Sequence, residues 1–229
     1  LMTASPTATP CAVITIDGPA AAGKGTLARR LAEHYGFAYL DTGLLYRAVG
    51  RRLLDRGGDP CDVEAAVEAA SSLRPEALED PTLRSDETAS AASQVAIIPD
   101  VRQTLLQFQK RFAASPPGGA PGAVIDGRDI GTVVCPHTPY KLFVMASLEE
   151  RAERRLKELR EQGIESIHGR VLQEMKDRDA RDSQRDVAPL VKSEDALLID
   201  TTEMAPEMVF SVALDHLSAQ GLAPPELRS

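Results

Sequence analysis

The fold is decided by one stretch near the start of the chain, Ile14-Thr15-Ile16-Asp17-Gly18-Pro19-Ala20-Ala21-Ala22-Gly23-Lys24-Gly25-Thr26. It fits the pattern GxxxxGK, with an apolar run before it and a helix-forming sequence after it. Small side chains let backbone N–H groups approach phosphate oxygens, and the N-terminus of the next helix favours negative charge. The alternative is a glycine-rich turn that only caps a helix. The flanking strand and helix favour a phosphate-binding loop.

This loop predicts a site for ATP. We expect Lys24 to reach the β- and γ-phosphates. Gly25 stands where such loops usually carry Ser or Thr, so Thr26 is the hydroxyl expected nearest to Mg²⁺. The predicted cofactor is therefore Mg²⁺, bound together with ATP. The predicted ATP-binding residues of the loop are Gly18, Pro19, Ala20, Ala21, Ala22, Gly23, Lys24, Gly25 and Thr26.

Composition excludes several classes of protein. With 229 residues, 43% of them hydrophobic and 26% charged, the chain is typical of a globular protein. Its net charge of −8 argues against broad nucleic-acid binding. Residues 1–10 lack the features of a signal peptide, and no apolar run is long enough to span a membrane, so we expect a cytoplasmic location. We also expect a monomer. Cys11, Cys61 and Cys135 are too widely spaced for a disulfide framework or a zinc site.

Short apolar runs and helical segments alternate along the chain, which indicates an α/β fold with a five-stranded parallel sheet flanked by helices. The predicted strands are Ala12–Ile16, Phe37–Leu40, Ala123–Asp126, Lys141–Val144 and Ala196–Asp200. The predicted helices are Lys24–Tyr35, Leu44–Arg56, Val63–Ala70, Asp100–Ala114, Leu148–Gln162, Ser166–Ala180 and Pro206–Ser218.

Uneven spacing between the strands predicts two insertions. The segments between the second and third strands and between the fourth and fifth strands are longer than one crossover helix requires. We assign the core to residues 11–56, 120–150 and 193–220, and the insertions to residues 57–119 and 151–192. Residues 1–10 and 221–229 are then tails.

Four further motifs carry a resemblance to a known family. They are Leu40-Asp41-Thr42-Gly43 with Tyr46-Arg47, Ala91-Ala92-Ser93-Gln94-Val95-Ala96 with Pro99-Asp100-Val101-Arg102, Asp126-Gly127-Arg128-Asp129-Ile130-Gly131-Thr132-Val133-Val134, and Arg178-Asp179-Ala180-Arg181-Asp182-Ser183-Gln184-Arg185. Together with the phosphate loop they resemble, in order, the motifs of bacterial cytidylate kinases. The resemblance extends from Ala12 to Asp200.

The resemblance implies a P-loop kinase fold in which residues 57–119 are the nucleoside monophosphate (NMP) binding insert and residues 151–192 a helical lid. It implies transfer of the γ-phosphoryl group of ATP to CMP or dCMP, giving CDP or dCDP and ADP. The implied CMP-binding residues are Thr42, Arg47, Ser93, Arg102, Arg128, Asp129, Arg178, Asp182 and Arg185. The implied catalytic residues are Lys24, Arg128, Arg178 and Arg185.

The resemblance also divides these roles. Thr42, Arg47 and Arg128 would hold the acceptor phosphate, and Ser93, Arg102 and Asp129 the cytosine ring. Arg178 and Asp182 would hold ribose hydroxyls, and Arg185 the phosphates. If the last motif is helical, Arg178, Arg181, Asp182 and Arg185 share one face.

Other candidates rest on position alone. Asp126 ends a predicted strand, as the carboxylate that holds Mg²⁺ through water does in P-loop enzymes, and is a second metal candidate. Arg155 is an additional ATP-binding candidate, and Arg151 and Arg154 lie near it on the same predicted helix. Leu73–Pro81 stands where many cytidylate kinases carry a β-rich addition, so we expect weaker binding of CMP.

Two alternatives remain open. One is another small-molecule kinase of the same fold, acting on UMP, AMP or shikimate. The other is a P-loop nucleotide-binding switch, but guanine recognition in such proteins uses an NKxD motif and this chain contains no asparagine. Taken singly, each arginine could also form only a surface ion pair.

Overall fold

The apolar runs form one parallel sheet in the order β2-β3-β1-β4-β5. The computed structural model describes residues 11–223. The strands are β1 (Ala12–Asp17), β2 (Ala38–Asp41), β3 (Gly122–Gly127), β4 (Lys141–Met145) and β5 (Leu197–Asp200). Ile14, Ile16, Val124 and Ile125 have no exposed surface, as expected for parallel strands covered on both faces. The predicted five-stranded parallel sheet is confirmed.

Eight α-helices surround the sheet within the described range. They are α1 (Lys24–Tyr35), α2 (Thr42–Asp55), α3 (Val63–Ser71), α4 (Asp86–Val95), α5 (Pro99–Ala114), α6 (Leu148–Glu161), α7 (His168–Gln184) and α8 (Pro206–Ala219). Short 3₁₀ turns lie at Pro75–Glu79, Pro81–Arg84 and Pro117–Gly119, and a π-helical turn at Ile130–Val134. No helix in residues 11–223 is long and apolar enough to cross a membrane.

The strand order places a ligand crevice at one edge of the sheet. From β1 the chain crosses over β3 to β2, whereas from β3 it crosses over β1 to β4. Neighbouring strands whose connections leave in opposite directions open a crevice at their carboxyl ends. The loop from Gly18 follows β1 there, and Arg128 and Asp129 follow β3.

Helix α4 is absent from the sequence prediction because its buried face carries small residues instead of a large apolar stripe. Ala91, Ala92 and Ser93 lie on that face. A Cβ added to Gly50 of α2 would lie 2.9 Å from the Cβ of Ala91, so the two helices pack closely. Helix α7 lies where a helix is predicted at Ser166–Ala180, but its bounds differ: it begins at His168 and continues to Gln184.

The two insertions have small cores of their own. Leu45, Val49 and Leu53 of α2 pack with the buried faces of α3, α4 and α5, so α2 shares its core with the first insertion. Leu156 and Leu159 of α6 pack with α7 and against the phosphate loop. The segment Leu73–Pro81 contains a 3₁₀ turn where relatives were expected to have strands. The assignment of residues to core, insert and lid remains a prediction.

Candidate active site

The phosphate loop has a strained backbone that its sequence accommodates. Gly18 has φ +147°, and a Cβ there would lie 1.9 Å from the carbonyl oxygen of Val144. Gly23, with φ 92°, is the N-cap of α1. Ala21 adopts φ 57°, which is unfavourable for a residue with a side chain. Strain of this kind concentrates at functional sites.

Lys24 is buried at the base of the loop. Its Nζ donates a hydrogen bond of 2.6 Å to the carbonyl oxygen of Pro19, and the residue is 6% exposed. Burial and then the nearby Arg128 lower the pKa of Lys24 to about 7. Within the described chain, the negative charge near Lys24 is therefore too small to offset its burial. A phosphate group bound beside Lys24 would supply the missing negative charge.

The pKa of Lys24 predicts a proton linkage. At pH 8 a lysine with a pKa of about 7 is mostly neutral, and bound phosphates raise that pKa. Binding of ATP at pH 8 should therefore take up protons, and affinity should fall as the pH rises above 7. Calorimetry in buffers of different ionisation enthalpy measures this uptake. In Lys24→Arg, whose side chain stays charged, the uptake should disappear; equal uptake in both proteins would contradict the assignment.

Carboxylates at the ends of β2 and β3 fit a hard cation held through water. Asp126 is 5% exposed and accepts a 2.8 Å hydrogen bond from the Tyr39 hydroxyl. Burial and the neighbouring Asp41 raise the pKa of Asp126. Its Oδ2 lies 3.7 Å from the position of a Cβ on Gly25, so the missing side chain leaves space beside it. Thr26 instead lines a different cavity.

An arginine whose charge is only partly compensated lies next to this region. The Nε of Arg178 is inaccessible to solvent and has no hydrogen-bond partner within residues 11–223. Burial and the nearby cations Arg128, Arg47 and Arg155 lower the pKa of Arg178 to about 10. Asp182 supplies some negative charge here, but burial and the surrounding guanidinium groups outweigh it. An anion in the adjoining cavity would therefore be stabilised beside Arg178.

A large cavity of about 610 Å³ lies between the phosphate loop, α4, α6 and α7. Its wall includes Ala20 and Ala21 of the loop, together with Arg47 and Arg178. Arg47 donates a 2.6 Å hydrogen bond to the carbonyl oxygen of Leu83, which holds its side chain in place. The two arginines give this cavity the positive charge that phosphate groups require.

A small cavity of about 50 Å³ adjoins the large one and is lined by charged side chains. Arg102 and Asp129 form an ion pair of 2.6 Å, and an Nη of Arg185 lies 3.6 Å from the other oxygen of Asp129. Arg128 pairs with Asp182 at 2.9 Å. In the free protein these ion pairs satisfy the charged groups that would otherwise face a base.

A third cavity of about 360 Å³ lies on the other side of the loop. Leu27, Met204 and Val209 give it an apolar wall, and Thr26 and Arg154 lie at its edge. The described chain has no group of three or more His, Cys, Asp or Glu that could hold a metal directly.

The structure brings most of the predicted residues together. The small cavity is lined by Thr42, Ser93, Arg102, Arg128, Asp129, Arg178, Asp182 and Arg185. Thr42 donates a 2.8 Å hydrogen bond to the carbonyl oxygen of Asp126, so a phosphate would have to compete for that proton. Arg155 lines the large cavity but is already paired with Asp86 and Glu158. Arg151 bonds to Asp179 and to the carbonyl oxygen of Ala20, and therefore joins the lid to the loop.

Sequence analysis assigned no individual role to Asp17 or Arg181, although both form hydrogen bonds that support the site. Asp17 accepts hydrogen bonds of 2.8 and 2.7 Å from the backbone N–H groups of Ile130 and Gly131, immediately after Asp129. Burial raises the pKa of Asp17 to about 6 in spite of these two donors. Arg181 donates to Ser93. The sequence could have drawn attention to Asp17, because it belongs to the loop motif. It could not have shown the partners of Asp17, because they lie far away along the chain.

A phosphate loop at the switch point of the sheet, with a second set of arginines close to it and the helices α6 and α7 beside it, is typical of a P-loop kinase of the nucleoside monophosphate kinase class. The family model described as cytidylate kinase matches residues 14–219. A cytidylate kinase of Paramagnetospirillum magneticum is 61% identical, covering 91% of this chain and 98% of that protein. One from Rhodospirillum rubrum is 55% identical, covering 90% and 97%. The chain belongs to the cytidylate kinase family.

Comparison with solved structures supports the fold and nothing beyond it. An uncharacterised protein from Eubacterium ventriosum has a TM-score of 0.54 at 14% identity, covering 91% of this chain and 99% of that one. A sugar kinase from Janibacter sp. has a TM-score of 0.50 at 15% identity, covering 93% and 99%. At these identities only the architecture is shared.

Proposed function

We propose that this protein transfers the γ-phosphoryl group of ATP to CMP or dCMP, giving CDP or dCDP and ADP. The observation that carries the proposal concerns Arg178, whose Nε has no hydrogen-bond partner within residues 11–223. Arg178 lines both the large cavity beside the phosphate loop and the small cavity that holds the Arg102–Asp129 pair. A phosphate group bound there would lie near both the donor and the acceptor sites.

The reaction needs positioning and charge stabilisation more than acid–base catalysis. An oxygen of the acceptor phosphate is already anionic, and it attacks the γ-phosphorus in line. A new P–O bond forms while the bond to the β,γ-bridging oxygen breaks, and ADP leaves. Lys24, Arg128, Arg178 and Arg185 would stabilise the charge that develops between the phosphates.

Magnesium would arrive with ATP and neutralise part of its phosphate charge. Asp126 fits this cation better than Thr26 does, because the Asp126 carboxylate lies beside the space at Gly25 while Thr26 lines the apolar cavity. Asp41 lies near enough to raise the pKa of Asp126, and a cation would relieve that repulsion.

The apolar cavity beside α1 suits the adenine ring of ATP. Leu27, Met204 and Val209 offer apolar contacts, and Arg154 is held by hydrogen bonds of 3.0 and 2.7 Å to the side chain and backbone of Thr201. Its guanidinium could stack on a base. Closure of α6 and α7 over the phosphates would exclude water and prevent hydrolysis of ATP.

A coupled assay of ADP release tests this function. CMP and dCMP should support the fastest turnover, and UMP, AMP and shikimate should be much slower. Faster turnover with UMP, AMP or shikimate would favour the alternative kinases. ADP release that is equally fast without any acceptor would favour a nucleotide-hydrolysing switch. A monomeric state and a cytoplasmic location rest on the sequence and remain predictions.

Base choice gives a sharper prediction at Asp129. Cytosine offers an N4 amino donor that suits a carboxylate, whereas uracil offers an O4 acceptor. Asp129→Asn should therefore lose mostly CMP activity and lower the CMP/UMP ratio of kcat/KM by about tenfold, because a mismatched buried polar group costs about 1–3 kcal/mol. Steady-state kinetics with both substrates measures the ratio. An equal loss for both substrates would assign Asp129 to phosphate or metal chemistry instead.

A further inference from the structure

One hydrogen bond joins α7, in the predicted lid, to the small cavity where we propose that the base binds. The Nε of Arg181, on α7, donates a hydrogen bond of 2.9 Å to the Oγ of Ser93, on α4. Ser93 is 5% exposed and lines both the large cavity and the small one. Since Arg102 and Asp129 line the same small cavity, Ser93 lies where a base would meet them.

This contact determines what the serine hydroxyl can do. A hydroxyl has one proton to donate and two lone pairs that accept. Arg181 occupies one lone pair, and its positive charge disfavours the approach of a second donor. The hydroxyl proton of Ser93 is therefore left for an acceptor in the cavity. Both cytosine and uracil accept at O2, but N3 is an acceptor in cytosine and a donor in uracil, so a serine donor that meets N3 favours cytosine.

We infer that Arg181 is a positioning residue that makes Ser93 a hydrogen-bond donor to the pyrimidine ring. Because Arg181 belongs to the lid helix α7, selection of cytosine then depends on closure of the lid over the insert. This inference deepens the (d)CMP kinase activity proposed above and rests on it.

A second contact between lid and insert supplies a matched control. Arg155 of α6 pairs with Asp86, the first residue of α4. Asp86 lies seven residues before Ser93, about 10 Å along the helix, and lines only the large cavity. Asp86→Asn weakens the contact between lid and insert without touching Ser93.

The test measures kcat/KM for CMP and UMP in the wild type, Arg181→Met, Ser93→Ala, the double variant and Asp86→Asn. Arg181→Met should lower the CMP/UMP ratio by about tenfold, mainly through lost CMP activity. The double variant should lower it no further than either single one, because both remove the same interaction. Asp86→Asn should leave the ratio unchanged, and Arg181→Lys, which keeps a charged donor, should recover part of it.

Other outcomes overturn the inference. An unchanged ratio in Arg181→Met, or additive effects of the two substitutions on the ratio, would show that Arg181 does not act through Ser93. If circular dichroism shows that Arg181→Met is unfolded, the CMP/UMP ratios of Arg181→Lys and Ser93→Ala decide instead. Wild-type ratios in both of these variants would contradict the positioning role of Arg181. Failure of the wild type to phosphorylate CMP would overturn the proposed function itself, which distinguishes the two failures.

Discussion

Lys24→Ala should lower kcat by about 10³-fold or more while the protein stays folded. Lys24 is the cation of the phosphate loop, and loss of one charge stabiliser in phosphoryl transfer costs about 10³–10⁵ in rate. The only hydrogen bond shown for its Nζ in the described chain is to Pro19, so few structural contacts are lost. Turnover is measured by ADP release, and folding by circular dichroism and thermal unfolding.

Two variants make the Lys24 result specific. Lys24→Met fills the space of the lysine stem without its charge and should lose as much activity as Lys24→Ala. Lys157→Ala removes a lysine that is 80% exposed on α6 and should behave as the wild type. Wild-type turnover by folded Lys24→Ala would exclude the phosphate loop as the site of ATP.

Arg178→Ala should lower kcat by roughly 10³-fold without lowering the melting temperature of the free protein. Its guanidinium supplies charge where the two nucleotides would meet, and removing such an arginine has effects of about this size. In the free protein the repulsion of this guanidinium by Arg128, Arg47 and Arg155 outweighs its attraction to Asp182. Its removal therefore relieves repulsion. Kinetics and thermal unfolding are measured on the same preparation.

An exposed arginine is the matched control for Arg178. Arg160 lies on the exposed surface of α6, and Arg160→Ala should change neither turnover nor melting temperature. A folded Arg178→Ala with normal turnover would remove Arg178 from the reaction. A large fall in melting temperature with proportionate loss of activity would indicate a structural role.

The family, the kinase class and the parallel sheet were predicted correctly because their signals are local. A phosphate loop needs glycine at Gly18 and Gly23, where a side chain would clash or strain the backbone. Buried parallel strands need short apolar runs, and these are read directly from neighbouring residues. The helix α4 lacked such a signal, since close packing against Gly50 required small residues in place of large apolar ones.

The individual roles of the site residues remain predictions, and the structure adds what their motifs do not contain. The sequence by itself determined which residues could bind phosphate and base, because the glycines, arginines and aspartates stand in recognisable local patterns. Only the tertiary structure decided that Arg102 pairs with Asp129, that Arg181 reaches Ser93, and that the Nε of Arg178 has no hydrogen-bond partner within residues 11–223. Those contacts join segments far apart in the chain. They depend on which charged side chains become buried next to one another when α4, α5 and α7 pack around the crevice.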